Sequence, residues 1–94
     1  MPLHESGEDY LEAILMIQKR NGNVRSIDIA TALSFSKPSV SVAMKNLREN
    51  GYILMDKDGF IALTEKGHEI AETIYERHTL LSSFLMYLGV SKET

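Results

Sequence analysis

Small hydroxyl-bearing and basic residues are concentrated between Ser36 and Lys45. Serine hydroxyls and lysine ammonium groups can hydrogen-bond phosphate oxygens and base edges, and proline and valine can pack against thymine methyl groups. A helix with such a face can approach DNA closely, because no long side chain stands in the way. Small hydroxyl residues are also good helix caps, so this stretch alone leaves DNA contact and capping as alternatives. The predicted base contacts are Ser36, Pro38, Ser39 and Val42. The predicted phosphate contacts are Arg25, Lys37, Ser41, Lys45 and Lys57.

Asp9 and Glu12 form a second group of residues that could carry chemistry. They are three residues apart and therefore share one face of a helix. Acids in a first helical turn also favour the helix dipole, which would explain the pair without a ligand. As a general acid and base they would need a pocket, and the sequence implies none around them. The chain has no cysteine and no glycine-rich phosphate loop. We therefore expect no enzyme activity.

The charge distribution supports a surface that faces phosphate. The net charge of the whole chain is −3, which by itself argues against nucleic acid. Residues 19–48, however, carry six basic side chains and one acidic side chain, whereas the segments on both sides are acidic. A basic middle segment suits one DNA-facing surface, although mild charge blocks of this kind are also typical of solvated helix faces.

Hydrophobic periodicity predicts three helices in the first half of the chain. The first helix follows Ser6, a candidate cap, and should end before the Asn21-Gly22-Asn23 breaker. Ser26 is predicted to cap a short helix over Ile27–Leu33, and Ser36 to cap a third helix with Pro38 in its first turn. The predicted inward residues are Tyr10, Leu11, Ala13, Ile14 and Ile17 in the first helix, Ile27, Ala30 and Leu33 in the second, and Val40, Ala43, Met44 and Leu47 in the third.

The second half of the chain changes to a two-residue period. Gly51 should end the third helix, and short strands over Ile53–Asp56 and Phe60–Leu63 flank a Lys57-Asp58-Gly59 turn. Thr64 is predicted to cap a long last helix over residues 65–88, whose inward positions include Ile70, Ala71 and Ile74.

This order of elements predicts a winged helix-turn-helix, a mainly α fold with a small β-hairpin. We expect residues 1–64 to form the DNA-binding domain and residues 65–94 to form a long helix that begins or leads to a dimerisation region. In a helix-turn-helix, the second helix of the pair enters the major groove by its N-terminal residues, and the first crosses the backbone. The expected partner is therefore double-stranded DNA.

Several motifs together resemble the iron- and manganese-dependent repressors, the family of the diphtheria toxin repressor and the manganese transport regulator. They are Glu8-Asp9-Tyr10-Leu11-Glu12-Ala13-Ile14, Ile27-Asp28-Ile29-Ala30, Lys37-Pro38-Ser39-Val40-Ser41, Gly51-Tyr52-Ile53, Leu63-Thr64-Glu65-Lys66-Gly67 and Arg77-His78. The resemblance covers almost the whole chain. It implies a repressor in which a divalent metal fixes two recognition helices at the spacing of a palindromic operator.

By position, the resemblance implies that Asp9, Glu12 and His78 are metal ligands. Iron-type members have a methionine where Asp9 stands, so the pair of acids resembles the manganese-type branch. Two carboxylates and an imidazole suit Mn(II) or Fe(II). His4 and His68 have no matching role and are interpreted as surface residues.

Two departures from the family weaken the expected metal site. The family's remaining ligands lie on a helix beyond Thr94, and an accessory glutamate is replaced by Ser82. We therefore expect Mn(II) or Fe(II) to bind this chain weakly or not at all. The sequence is compatible with both a fragment of a longer regulator and a naturally short member.

The apolar run over residues 79–88 predicts a homodimer, since a domain of this size cannot cover so many large side chains. No segment is apolar over the roughly 18 to 20 residues that a membrane span needs, and we expect a cytoplasmic protein. Two alternatives stay open, a metal-independent winged-helix regulator and a winged-helix protein-interaction module.

Overall fold

The computed structural model describes the backbone of residues 5–87 and the side chains of residues 7–78. Its elements follow the predicted order of three helices, a hairpin and a long helix. They are α1 (Glu5–Asn21), α2 (Ser26–Leu33), α3 (Lys37–Glu49), β1 (Ile53–Met55), β2 (Ile61–Leu63) and α4 (Glu65–Tyr87). None of the helices in the described part of the chain is long and apolar enough to cross a membrane.

Helix α1 lies at the centre of the fold, because it contacts α2, α3, β2 and α4. Leu11 and Ile14 are fully buried, and Tyr10, Ala13 and Ile17 are nearly so, which confirms the predicted face. Burial raises the pKa of the Tyr10 hydroxyl above its usual value, because the charged phenolate is poorly solvated there. The helix ends where Gly22 takes a left-handed conformation (φ 86°), which glycine adopts at little cost.

A tight turn joins α2 to α3 and builds the helix-turn-helix. Ser34 ends α2 in the left-handed conformation with φ 59°, and the Phe35 N–H donates to the Ala30 carbonyl. The Ser36 hydroxyl then accepts a hydrogen bond from the Ser39 N–H at 3.3 Å and caps α3, as the sequence predicted. Val40, Met44 and Leu47 of α3 are buried in the shared core.

The end of α3 is held by a Schellman motif, which turns the chain into the hairpin. The Tyr52 N–H donates to the Leu47 carbonyl and the Gly51 N–H to the Arg48 carbonyl, at 2.9 and 3.1 Å. Gly51 takes the left-handed conformation with φ 81°. The sequence signal at this glycine is therefore confirmed.

Strands β1 and β2 form an antiparallel wing in which Ile53 pairs with Leu63 and Met55 with Ile61. The Asp56 carboxylate closes the turn by accepting the N–H groups of Asp58 and Phe60, each at 2.9 Å. The wing is also tied to the segment before α2, since the Ile61 N–H donates to the Val24 carbonyl at 2.8 Å.

Helix α4 starts against the backbone that leads into the wing. Thr64 caps the helix by accepting the Gly67 N–H at 3.1 Å, and its hydroxyl donates to the Gly51 carbonyl at 2.7 Å. Ala71 and Ile74 are buried against the core, and Ile70 is half-buried. The predicted division of the chain at residue 64 stays a prediction.

Three details of the sequence-based prediction are wrong. Helix α1 begins at Glu5, so Ser6 lies inside its first turn, and α2 begins at Ser26, which makes Arg25 its cap residue. Ile27 is 45% exposed, whereas Ile29 is fully buried. In a helix of eight residues, a few apolar positions define the inward face poorly. Contacts with α1 and α3 select Ile29 in place of Ile27, whereas Ala30 is buried as predicted. The segment over residues 79–88, predicted to form a dimer, lies outside the described side chains.

Candidate functional site

The N-terminal half of α3 presents an exposed face built from small residues. Ser36, Lys37, Pro38, Ser39, Ser41, Val42 and Lys45 are all exposed. Val42 is the clearest case, because this apolar residue is 60% exposed whereas Val40, Met44 and Leu47 of the same helix are buried. The core therefore does not explain Val42, and a face of this kind is suited to close contact with another molecule.

Hydrogen bonds orient two of the serines on this face. The Ser36 hydroxyl donates to the Ser39 hydroxyl at 2.8 Å and also accepts the Ser39 N–H. The Ser36 hydroxyl is thus used within the cap, while the proton of the Ser39 hydroxyl is left to donate outward. Capping and contact with a partner, which were alternatives in the sequence, are compatible functions of the same residues.

Two other predicted contact residues, Arg25 and Lys57, lie at the start of α2 and in the turn of the wing. Lys57 is exposed in the turn between β1 and β2. Arg25 is exposed at the start of α2, and its guanidinium lies 4.2 Å from the centre of the Phe60 ring. The start of α2 and the turn end of the wing therefore each carry an exposed cationic side chain.

The structure brings two of the three predicted metal ligands together across α1 and α4. The Nδ1 atom of His78 lies 2.6 Å from the Oε2 atom of Glu12, whose side chain is 14% exposed. An ionised carboxylate only accepts hydrogen bonds, so the proton of this bond belongs to Nδ1. In a neutral imidazole that arrangement leaves the Nε2 lone pair for another ligand.

Asp9 does not join this pair. It is exposed, and it lines a groove of about 270 Å³ between α1 and the end of α2 together with Glu12. The remaining lining residues are Ala13, Met16, Ile17, Arg20, Ala32 and Leu33. Within the described part of the chain, no three histidine or acidic side chains are close enough to hold one metal ion. The donor types suit a hard divalent cation, but the three predicted ligands are not assembled.

The sequence reasoning missed Phe60 as part of this surface, and it paired Glu12 with His78 only through the family resemblance. Arg25 and Phe60 lie far apart in the chain, as do Glu12 and His78, and no local period relates such residues. One signal was available for Phe60. It is a large aromatic residue directly after the Asp-Gly turn of the predicted hairpin.

Comparisons with known proteins identify the family of this chain. The family model described as iron dependent repressor, N-terminal DNA binding domain, matches residues 2–61. The chain is 39% identical over 88 residues to the HTH-type transcriptional regulator MntR of Geobacillus kaustophilus, and the match covers 94% of this chain and 62% of that relative. The chain thus spans less than two thirds of the length of that relative.

Solved structures are similar in fold over most of the chain. The metal-dependent transcriptional regulator MtsR superimposes with a TM-score of 0.80 at 30% identity, covering 90% of this chain and 40% of that one. The manganese regulator SloR does so with a TM-score of 0.71 at 34% identity, covering 93% of this chain and 40% of that one. The winged-helix architecture predicted from the sequence is confirmed.

Proposed function

Because the chain belongs to the iron dependent repressor family through its N-terminal DNA-binding domain, we propose that it is a transcriptional regulator that responds to Mn(II) or Fe(II). DNA-binding repressors of this family are not enzymes, and the expectation of no catalysis agrees with that. The observation that carries the proposal is the exposed N-terminal face of α3, where Val42 is 60% exposed beside small hydroxyl-bearing residues. Under this proposal the chain acts in the cytoplasm, because that is where its DNA partner lies.

In the proposed complex, α3 enters the major groove by its N-terminal residues and α2 crosses the backbone. Ser36, Pro38, Ser39 and Val42 face the bases, where the outward proton of Ser39 can be donated to a base acceptor and Val42 can pack on a thymine methyl. Arg25, Lys37, Ser41, Lys45 and Lys57 face phosphates. The base-facing residues would give sequence specificity, and the phosphate-facing residues would position the protein on the DNA.

The proposed metal response uses Glu12 and His78, with Asp9 on the same helix as Glu12. A bound Mn(II) or Fe(II) ion would supply a positive charge that holds carboxylate and imidazole donors together across α1 and α4. Glu12 fixes the His78 ring through the 2.6 Å contact at Nδ1. Two neighbouring donors bind a divalent cation weakly, so we expect poor Mn(II) affinity for residues 1–94.

A homodimer on a palindromic operator completes the proposal. Two-fold operators match two-fold proteins, with half-sites spaced by about one helical turn or a multiple of it. We assign the dimer contact to residues 79–88, because this part of the sequence is rich in large apolar residues. Metal would then act by favouring the DNA-competent arrangement of the dimer over others.

Selection from random duplex DNA tests the proposal directly. The chain is incubated with the pool at moderate salt, with and without Mn(II), and the salt dependence of binding is measured on the selected sequence. We expect a palindromic consensus. The slope of log Kd against log salt concentration should correspond to the neutralisation of several phosphates by the protein. A Ser39→Ala, Val42→Ala double variant is the matched control, because it removes base contacts and leaves the basic side chains.

The outcomes separate the competing functions. Enrichment that is equal without metal and at Mn(II) concentrations that calorimetry shows to saturate the site would support a metal-independent regulator. Binding with a steep salt slope but no consensus would contradict sequence-specific recognition. No binding in either condition would favour a protein-interaction module, and a calorimetric titration showing micromolar Mn(II) affinity would contradict the weak metal site.

A further inference from the structure

We propose that Phe60 is a positioning residue, whose ring holds the Arg25 guanidinium as a preorganised phosphate contact between α2 and the wing. This inference rests on the proposed DNA-binding function, and it adds to that function a residue outside the predicted contact set. The guanidinium carbon lies 4.2 Å from the ring centre. That distance lies well within the range over which an arginine is attracted to an aromatic face.

The backbone holds both partners of this contact in place. The Ile61 N–H donates to the Val24 carbonyl at 2.8 Å, and these two residues directly adjoin Phe60 and Arg25. The Phe60 N–H donates to the Asp56 carboxylate at 2.9 Å, and the Phe60 carbonyl accepts the Asp56 N–H at 3.0 Å. The ring is therefore carried by a closed turn, and it is half-buried.

The guanidinium is left available for a phosphate. The nearest acid in the sequence, Asp28, uses its carboxylate to accept the Arg25 backbone N–H at 2.9 Å. Within residues 7–78, no carboxylate forms a salt bridge with the Arg25 side chain. The Arg25 guanidinium carbon thus lies over the Phe60 ring, and a guanidinium held there can still offer two N–H groups to one phosphate.

The physical gain is a reduced loss of side-chain freedom on binding. A free arginine has many rotamers, and fixing them on a phosphate weakens association. The Phe60 ring restricts those rotamers before DNA arrives. An exposed cation–aromatic contact of this kind corresponds to a change of about two- to fivefold in Kd.

Four variants test this reasoning. Phe60→Leu keeps an apolar side chain and removes the aromatic face, and Phe60→Tyr keeps the face. Arg25→Ala removes the cation, and the Arg25→Ala, Phe60→Leu double variant closes the cycle. The matched control is Tyr75→Leu, because Tyr75 lies under Lys19 at 5.3 Å in a similar contact between α1 and α4.

DNA binding of these variants gives the first measurement. We expect Phe60→Leu to weaken binding about two- to fivefold with little change in salt slope, and Phe60→Tyr and Tyr75→Leu to bind as the parent does. Arg25→Ala should lower the salt slope by about one phosphate. In the Arg25→Ala background, Phe60→Leu should have no further effect. A penalty for Phe60→Leu that persists without Arg25 would overturn the proposal, because it would mean that Phe60 acts through the wing.

NMR of the free protein gives the second measurement, which needs no DNA. Stacking on a ring shifts the Arg25 side-chain N–H resonance upfield, and Phe60→Leu should abolish that shift while Phe60→Tyr retains it. An unshifted resonance in the parent chain would overturn the contact itself. A shifted resonance in a chain that binds no DNA would instead refute the proposed function. Thermal unfolding of each variant excludes a loss of fold as the cause.

Discussion

Replacing Gly67 with alanine should destabilise the domain, although alanine is the better helix former. Gly67 lies in the first turn of α4, where a Cβ atom would stand 2.0 Å from the Tyr52 carbonyl oxygen and 3.0 Å from its carbonyl carbon. Both atoms belong to the backbone, so no side chain can rotate away. Since non-bonded carbon atoms prefer separations of about 3.5 to 4.0 Å, the helix start must move by on the order of 1 Å.

That displacement weakens two hydrogen bonds that join α4 to the end of α3. They run from the Thr64 N–H to the Tyr52 carbonyl at 3.1 Å and from the Thr64 hydroxyl to the Gly51 carbonyl at 2.7 Å. Loss of each hydrogen bond lowers the free energy of unfolding by about 1 kcal/mol, and overpacking strain lowers it further by about 1 to 3 kcal/mol. The higher helix propensity of alanine raises it by about 1 kcal/mol. The expected loss in the free energy of unfolding is therefore about 2 to 4 kcal/mol.

Thermal and urea unfolding measure this loss. For a domain of this size we expect the Tm to fall by at least about 8 °C, with an unchanged m-value. Thr73→Ala is the matched control, because Thr73 is exposed in the same helix and its hydroxyl donates to the Glu69 carbonyl, one turn earlier in that helix. Its effect should stay within about 0.5 kcal/mol. A Gly67→Ala variant that melts within about 2 °C of the parent would refute the close approach of α4 to Tyr52.

Three further predictions concern DNA reading, alkaline pH and assembly. Lys45→Ala should weaken binding to all DNA sequences alike and lower the salt slope by about one. Val42→Ala should lower the discrimination at one base pair by about 1 kcal/mol and leave the salt slope unchanged. Equal effects of the two variants would contradict the assignment of Val42 to bases and Lys45 to phosphates. The folded-state pKa of Tyr10 is raised by burial, so its contribution to stability is present below pH 10, the pKa of an exposed phenol, and is lost as the pH rises through the folded-state pKa. Tyr10→Phe should therefore lose less stability than the parent in this alkaline range, and parallel alkaline unfolding curves would refute the assignment. Light scattering at high micromolar concentration should give a dimer mass, and a monomer mass would refute association through residues 79–88.

The local signals in the sequence were sufficient for the order of elements. Ser36 and Thr64 cap their helices as expected, and Gly51 ends α3 in the left-handed conformation. Each of these signals acts within three or four residues, where the physics is dominated by backbone hydrogen bonds. The error at Ile27, which is 45% exposed, comes from the shortness of α2, since a helix of two turns has too few apolar residues to define its buried face.

Contacts between distant residues could not be predicted in the same way. Gly67 did carry a signal, because a glycine inside a helical pattern lowers helix stability and is compatible with a close approach of another backbone. That signal indicates a close approach without identifying Tyr52 as the partner. The Arg25 stacking on Phe60 and the Glu12 contact with His78 depend on how α2, the wing and α4 pack around α1, which the sequence periodicity does not encode.

The position of α1 limits how a metal could influence DNA reading. Glu12 lies on α1, and the neighbouring Leu11 and Ile14 are fully buried in the core that α1 shares with α3. A close-packed core of this kind deforms little, so α1 and α3 should move together and a change at Glu12 should leave the internal conformation of α3 nearly unaltered. His78, in contrast, is exposed on α4, one turn beyond the last buried residue in the described part of that helix, Ile74. If metal acts through this pair, we expect it to change the direction of α4 relative to the domain and so the distance between two DNA-reading surfaces. Amide hydrogen exchange, measured by mass spectrometry, that stays constant in α3 while it changes near His78 during an Mn(II) titration of a dimeric form would support this reasoning, and equal changes in both regions would contradict it.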